Sequence, residues 1–114
     1  MMTIEMLKSY GANTEEGLSR CMNNEGFYLK MVGMGLADAN FDKLRDAVAA
    51  GDAKEAFEAA HALKGVTGNL ALTPIYVPLS ELTEKLRGKD EISDVSALVN
   101  EVWEQVDKAR ALLG

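Results

Sequence analysis

Apolar residues recur at steps of three and four along four long segments of the chain. This spacing places the apolar side chains on one face of an α-helix and leaves the opposite face polar. No segment alternates apolar and polar residues with the period of two that is typical of a strand, so we expect an all-α fold. The segments are residues 38–50, 52–71, 75–87 and 92–113, the last beginning at Ile92 or Ser93. The second segment has the clearest stripe, formed by Ala56, Ala60, Leu63, Thr67 and Leu70.

Residues that start and stop helices stand between these segments. Gly51 is expected to end the first long helix and Asp52 to cap the second, a connection so short that the two helices should be antiparallel neighbours. Thr73 and Pro74 have the pattern of a cap followed by proline at the first helical position. Pro78 either marks a later start of the third long helix or kinks it.

The pattern as a whole predicts an antiparallel four-helix bundle with additional short N-terminal helices. We expect one domain spanning residues 1–114. Residues 1–37 would form the N-terminal helices, and residues 38–113 would form the core helices. Residues 24–37 could instead take one of the four places in the bundle.

His61, the only histidine of the chain, is predicted to point away from the core. At about 100° per residue it lies about 140° around the helix from the middle of the buried stripe. Lys64, Gly65 and Gly68 follow it at helical spacing and should border the imidazole, with Asn69 at the edge. Each glycine inside a helix costs about 1 kcal/mol relative to alanine. Two of them beside the histidine therefore indicate bare backbone that another molecule can approach closely.

The run His61-Ala62-Leu63-Lys64-Gly65, followed by Gly68 and Asn69, resembles the signature of histidine-containing phosphotransfer (HPt) domains. Residues 44–52 resemble the helix and turn that precede this signature in the family. The resemblance implies a small helical bundle that takes a phosphoryl group from a receiver-domain aspartate and passes it to another. The chain departs from the family pattern at Ala71, where the family usually has glycine, and this departure leaves the end of the helix open.

The resemblance also implies a role for each residue of the motif. His61 would be the phosphoacceptor, reacting through Nε2, and Lys64 would contact the phosphoryl oxygens. Gly65, Gly68 and, less directly, Asn69 would form the face on which the receiver docks. The chain would be a carrier and covalent intermediate, not an enzyme. It would bind no cofactor or metal itself, and Mg²⁺ would be held by the partner receiver domain.

The chemistry of the residues is consistent with that role. A neutral imidazole keeps a lone pair on one ring nitrogen and can attack phosphorus without a dedicated base. Phosphoryl transfer needs mainly in-line positioning and neutralisation of charge, to which Lys64 would contribute. One histidine and the single Cys21 on a separate segment do not make any common zinc site.

The net charge of −6 argues against nucleic acid and against an anionic membrane surface as partners. No apolar run reaches the length of a membrane span. A lone cysteine fits a reducing compartment, so we expect a cytoplasmic protein. The resemblance to HPt domains implies a monomer, and no apolar seam in the sequence demands a dimer. Its partners would be response-regulator receiver domains, hybrid histidine kinases or both.

Three other interpretations remain open at this point. The chain could be a binding module of the same fold that holds a receiver or kinase without transfer. It could be an unrelated helical adaptor or small enzyme, with a ligand pocket remote from His61. Gly65 and Gly68 could also be small simply because another helix packs against them, although the angular estimate places them away from the buried stripe.

Overall fold

The computed structural model describes residues 1–92 and 94–114. In this part of the chain all regular structure is α-helical, which confirms the predicted fold class. None of these helices is both long and apolar enough to span a membrane. The seven helices are α1 (Ile4–Tyr10), α2 (Thr14–Arg20), α3 (Glu25–Leu36), α4 (Asn40–Ala50), α5 (Ala53–Asn69), α6 (Thr73–Leu86) and α7 (Ser96–Ala111).

The long helices α4 to α7 form the central bundle, each packed along the next in chain order. Phe41 of α4 meets Trp103 of α7 with ring centroids 6.0 Å apart, which closes the bundle across its first and last helices. The core between them is aliphatic, with Leu44, Leu63 and Leu82 completely buried. The burial of such side chains is the main favourable term in folding a helical domain of this size.

Helix α3 lies against the bundle and does not replace one of its four members. The Arg110 guanidinium of α7 donates from Nε to the Leu36 carbonyl, 3.0 Å away. At Gly35 an added Cβ would come within 2.5 Å of Leu70 Cδ1, so α3 crosses the end of α5 at close range. Met34, on the outer side of α3, is 58% exposed.

The boundaries of α6 and α7 differ from those predicted. Helix α6 begins at Thr73, not residue 75, and continues through the buried Pro78. The predicted cap at Thr73 is wrong, because Thr73 is the first helical residue and Leu72 is the cap. Helix α7 begins at Ser96, whose backbone N–H donates to Asp94 Oδ1 at 3.3 Å. The predicted start at Ile92 is therefore wrong, and the alternative start at Ser93 lies outside the described residues.

The end of α5 explains why glycine is favoured at the position of Ala71. Helix α5 ends at Asn69, and Ala71 has φ of +58°, in the left-handed region. A residue with a Cβ pays about 1–2 kcal/mol in this conformation. In this conformation the Ala71 carbonyl accepts a hydrogen bond from Asn13 N–H at 2.9 Å. This bond joins the α5–α6 turn to the start of α2. Helix α5 therefore ends two residues before the predicted end at residue 71.

Candidate functional site

Helix α5 places the candidate site on its outer face. It begins where Asp52 caps it, with the carboxylate accepting from Glu55 N–H at 3.1 Å. All five residues of the predicted stripe are buried. Since those residues face the core, the other side of the helix faces solvent, and His61 is exposed as predicted.

An aromatic side chain one turn before His61 contacts the imidazole. The rings of Phe57 and His61 have centroids 5.7 Å apart and an interplanar angle of 12°, so they are stacked nearly parallel. Arg87, from the end of α6, places its Cζ 5.1 Å from the centroid of the Phe57 ring. The site therefore includes side chains of both α5 and α6.

Glu84 holds Arg87 in this position. The Arg87 guanidinium donates from Nε and Nη2 to the two Glu84 carboxylate oxygens at 3.2 and 3.1 Å. This hydrogen bonding, with the charge of Arg87, holds the pKa of Glu84 below its usual range, and the charges of Lys64 and His61 act weakly in the same direction. The Glu84 carboxylate is thus within electrostatic reach of both predicted site residues, and Arg87, directly after α6, adds a cation beside the Phe57 ring.

The two glycines beside the histidine have different surroundings. An added Cβ at Gly65 would meet no atom of the described residues within 4 Å, so the backbone there is open to a partner. An added Cβ at Gly68 would lie 3.1 Å from a ring carbon of Tyr76 on α6. Helix packing alone therefore gives Gly68 a reason to be small, whereas packing gives Gly65 none.

Asn69 is tied to α2 at the far end of the face. Its Oδ1 accepts from Arg20 Nη1 at 3.2 Å, and the same nitrogen lies 3.4 Å from the Gly68 carbonyl oxygen. Arg20 is itself paired with Glu16 at 2.6 Å. Eight residues of helix separate Asn69 from His61, about 12 Å along the axis. Asn69 thus lies at the margin of the face and not beside the imidazole.

Sequence reasoning missed Phe57, Glu84, Arg87 and Arg20. A signal for Phe57 was present, because residues four apart on a helix meet on its surface. The other three belong to α2 and α6, and their positions depend on how those helices pack against α5. The spacing along the chain contains no information of that kind.

The site offers a nucleophile, nearby positive charge and an open approach. Within the described residues, no group hydrogen-bonds the His61 imidazole, so the ring nitrogen that carries the lone pair is free to react. Lys64, three residues on, is half-buried along its length. These features suit attack on an electrophile brought by another molecule.

Comparison with known proteins identifies the matching family. A family model described as Hpt domain matches residues 35–112. The matched span begins in the last turn of α3 and includes the whole of α4 to α7, with the entire His61 motif. No curated protein and no solved structure shows a significant match.

Proposed function

Because the chain belongs to the family of Hpt domains, we propose that it is a phosphorelay carrier that accepts a phosphoryl group on His61. Hpt domains are phosphocarrier modules of two-component systems and not catalysts. The observation that most supports this role is the sole histidine of the chain, exposed on α5 beside the open backbone of Gly65.

The transfer step is a displacement at phosphorus. The lone pair of His61 Nε2 attacks the phosphorus of an aspartyl phosphate, the N–P bond forms, and the P–O bond to the aspartate breaks. The aspartate leaves as a carboxylate with the bonding electron pair, and Nδ1 keeps its proton. The reverse displacement passes the group to a second aspartate. Lys64 would offset charge on the phosphoryl oxygens, and Mg²⁺ on the receiver would do the same from the other side.

The proposed partners are response-regulator receiver domains, hybrid histidine kinases or both. A receiver would approach over Gly65, where an added side chain would meet nothing of the protein itself. Gly68 and Asn69 would lie at the edge of the contact. Partners of this kind place the protein in the cytoplasm, where we expect it to act as a monomer.

A phosphotransfer profile tests the proposal. Each receiver domain of the source organism is labelled with radioactive acetyl phosphate and mixed with the wild-type protein and with His61→Gln. We expect at least one receiver to transfer label to the wild type, in a bond that acid cleaves and base does not. The His61→Gln variant should keep its helical circular dichroism spectrum and take up no label.

Two outcomes would reject this function. Label at full stoichiometry on His61→Gln would show that another residue is the acceptor. Receiver binding that survives His61→Ala, with no transfer by the wild type, would identify a non-transferring binding module of the same fold.

A further inference from the structure

The His61 imidazole is oriented by an aromatic contact. Among the described residues it has no hydrogen-bond partner, and the side chain stacked on it is Phe57, with ring centroids 5.7 Å apart. Two residues four apart on one helix face make such a contact without distorting the backbone. Stacked aromatic rings in offset geometry attract beyond the area that they bury.

Phe57 is itself fixed on two sides. It is half-buried and packs against the hydrophobic core of the bundle. On its outer part, the Arg87 guanidinium lies over the ring, with Cζ 5.1 Å from the centroid. Glu84 binds that guanidinium through two hydrogen bonds, so the arginine cannot rotate freely away from the ring.

We propose that Phe57 is a positioning residue for phosphoryl transfer at His61, and that Arg87, held by Glu84, fixes the Phe57 ring. This inference rests on the proposed carrier function. Transfer requires Nε2 to lie in line with the breaking P–O bond. In a helix the χ1 well near +60° is blocked by the preceding turn, so an exposed histidine without support samples the other two staggered wells, whereas one stacked on a fixed ring is held in one of them. Phe57 therefore raises the fraction of molecules whose imidazole is ready to react.

Nuclear magnetic resonance tests the stack without any partner. Because the chain has one histidine, its Hδ2 and Hε1 signals are unambiguous. In the wild type we expect these signals to be displaced by the ring current of Phe57, and to show cross-relaxation with the Phe57 ring. In Phe57→Leu the displacement should disappear, and in Phe57→Tyr it should remain. Identical His61 signals in the wild type and Phe57→Leu would overturn the proposal.

Single-turnover transfer from a phosphorylated receiver tests the consequence. Returning the imidazole to two χ1 wells should lower the maximal rate constant of Phe57→Leu by about twofold. The receiver concentration at half-maximal rate should stay unchanged, because the docking face is intact. Phe57→Tyr should restore the rate. An unchanged rate in Phe57→Leu, or an equal fall in Phe57→Tyr, would contradict the assignment.

Arg87→Gln supplies an independent variant, since Arg87 is exposed and its loss should leave the core intact. We expect a fall in rate smaller than that of Phe57→Leu, and no further fall when the two changes are combined. A further fall in the double variant would show that Arg87 acts directly on the phosphoryl group and not through Phe57. If the wild type itself accepts no phosphoryl group, the carrier function fails, while the resonance experiment still decides whether Phe57 orients His61.

Discussion

Gly65 and Gly68 lie three residues apart in α5, yet the helix around them is built in different ways. The Gly65 backbone is bare, and an added Cβ would meet nothing of the described residues within 4 Å. At Gly68 the same atom would lie 3.1 Å from the Tyr76 ring. Beyond it, Tyr28 Oη donates to the Leu70 carbonyl at 2.8 Å, which binds the end of α5 to α3.

One part of α5 thus holds the helix in the bundle, and another part lets a partner reach His61. The C-terminal end of α5 is fastened by side chains of α2, α3 and α6, which fixes where the helix stands in the bundle. The middle, around His61, is held from beneath by the buried stripe and left open above. Such an arrangement allows a partner to approach the imidazole closely without disturbing the contacts that maintain the fold. Substitutions in the middle of α5 should therefore change phosphoryl transfer, and substitutions that loosen its C-terminal end should change stability.

The largest expected effect is on phosphoryl transfer, at Gly65 in the open middle of α5. Gly65→Leu should lower the rate of transfer from a receiver by about 100-fold, because a side chain on the docking face holds the reacting atoms apart. Its free energy of unfolding should not fall, since leucine is about 1 kcal/mol better than glycine in a helix. Single-turnover transfer and urea denaturation measure the two quantities.

Gly65→Ala is the matched control for this change. It adds one methyl group and the same gain in helix propensity, so it should be more stable than the wild type and transfer much faster than Gly65→Leu. Transfer by Gly65→Leu at the wild-type rate would show that receivers do not dock over this position.

At the C-terminal end of α5 the expected effect is on the free energy of unfolding. Tyr28→Phe removes a buried hydroxyl and leaves the Leu70 carbonyl without that donor, which should cost about 1–3 kcal/mol in urea denaturation. Tyr10→Phe is the comparison, since the Tyr10 hydroxyl donates to the Gln105 carbonyl at 2.9 Å but is only partly buried. An equal or greater loss in Tyr10→Phe would show that burial does not set the strength of these bonds.

The same tyrosine predicts a pH dependence. Burial, and to a lesser extent the charge of Cys21, raises the pKa of Tyr28 from 10.0 to about 12. Below pH 10 the hydroxyl is protonated in both folded and unfolded chains, so its contribution is complete there. As pH rises between these two values the unfolded chain ionises first, and the free energy of unfolding should fall. In Tyr28→Phe the alkaline decline should be smaller, and the part that remains is expected from Tyr10, whose pKa burial also raises.

The features that the sequence predicted correctly all depend on local helix geometry and capping. The buried stripe of α5, the Asp52 cap, the glycine stop at Gly51 and the outward direction of His61 each depend on residues within a few turns of one another. Their positions follow from the helical repeat and from capping chemistry. These features were predicted correctly for that reason.

The features that were missed depend on packing between helices. Whether Arg87 reaches the Phe57 ring is set by the crossing of α5 and α6, and whether Arg20 reaches Asn69 by the placement of α2. The start of α7 was placed too early because apolar periodicity continues through residues before Ser96 that are not helical. Apolar spacing identifies a face that will be buried, but not the residue at which a helix begins.

A smaller effect on stability is expected at the turn after α5. Ala71→Gly should raise the free energy of unfolding by about 1 kcal/mol, because relief of the left-handed alanine outweighs the greater freedom of glycine in the unfolded chain. Gly51→Ala is the reverse change, at a C-cap with φ of +73°, and should destabilise by a similar amount. A less stable Ala71→Gly would mean that the buried methyl of Ala71 contributes more than its strain costs.

The smallest effect concerns the pair that supports Phe57. Arg87 holds the pKa of Glu84 below its usual range, so the charged Glu84 stabilises the folded state at neutral pH. The contribution should be lost as pH falls through the lower folded pKa, because the protonated carboxyl no longer attracts the guanidinium. Urea denaturation of the wild type and Glu84→Gln should therefore differ at neutral pH and converge in acid. Because the pair is exposed, the difference should be small and should shrink in high salt. A difference that grows in acid would mean that Glu84 is destabilising when charged, and that Arg87 stays over the Phe57 ring without its help.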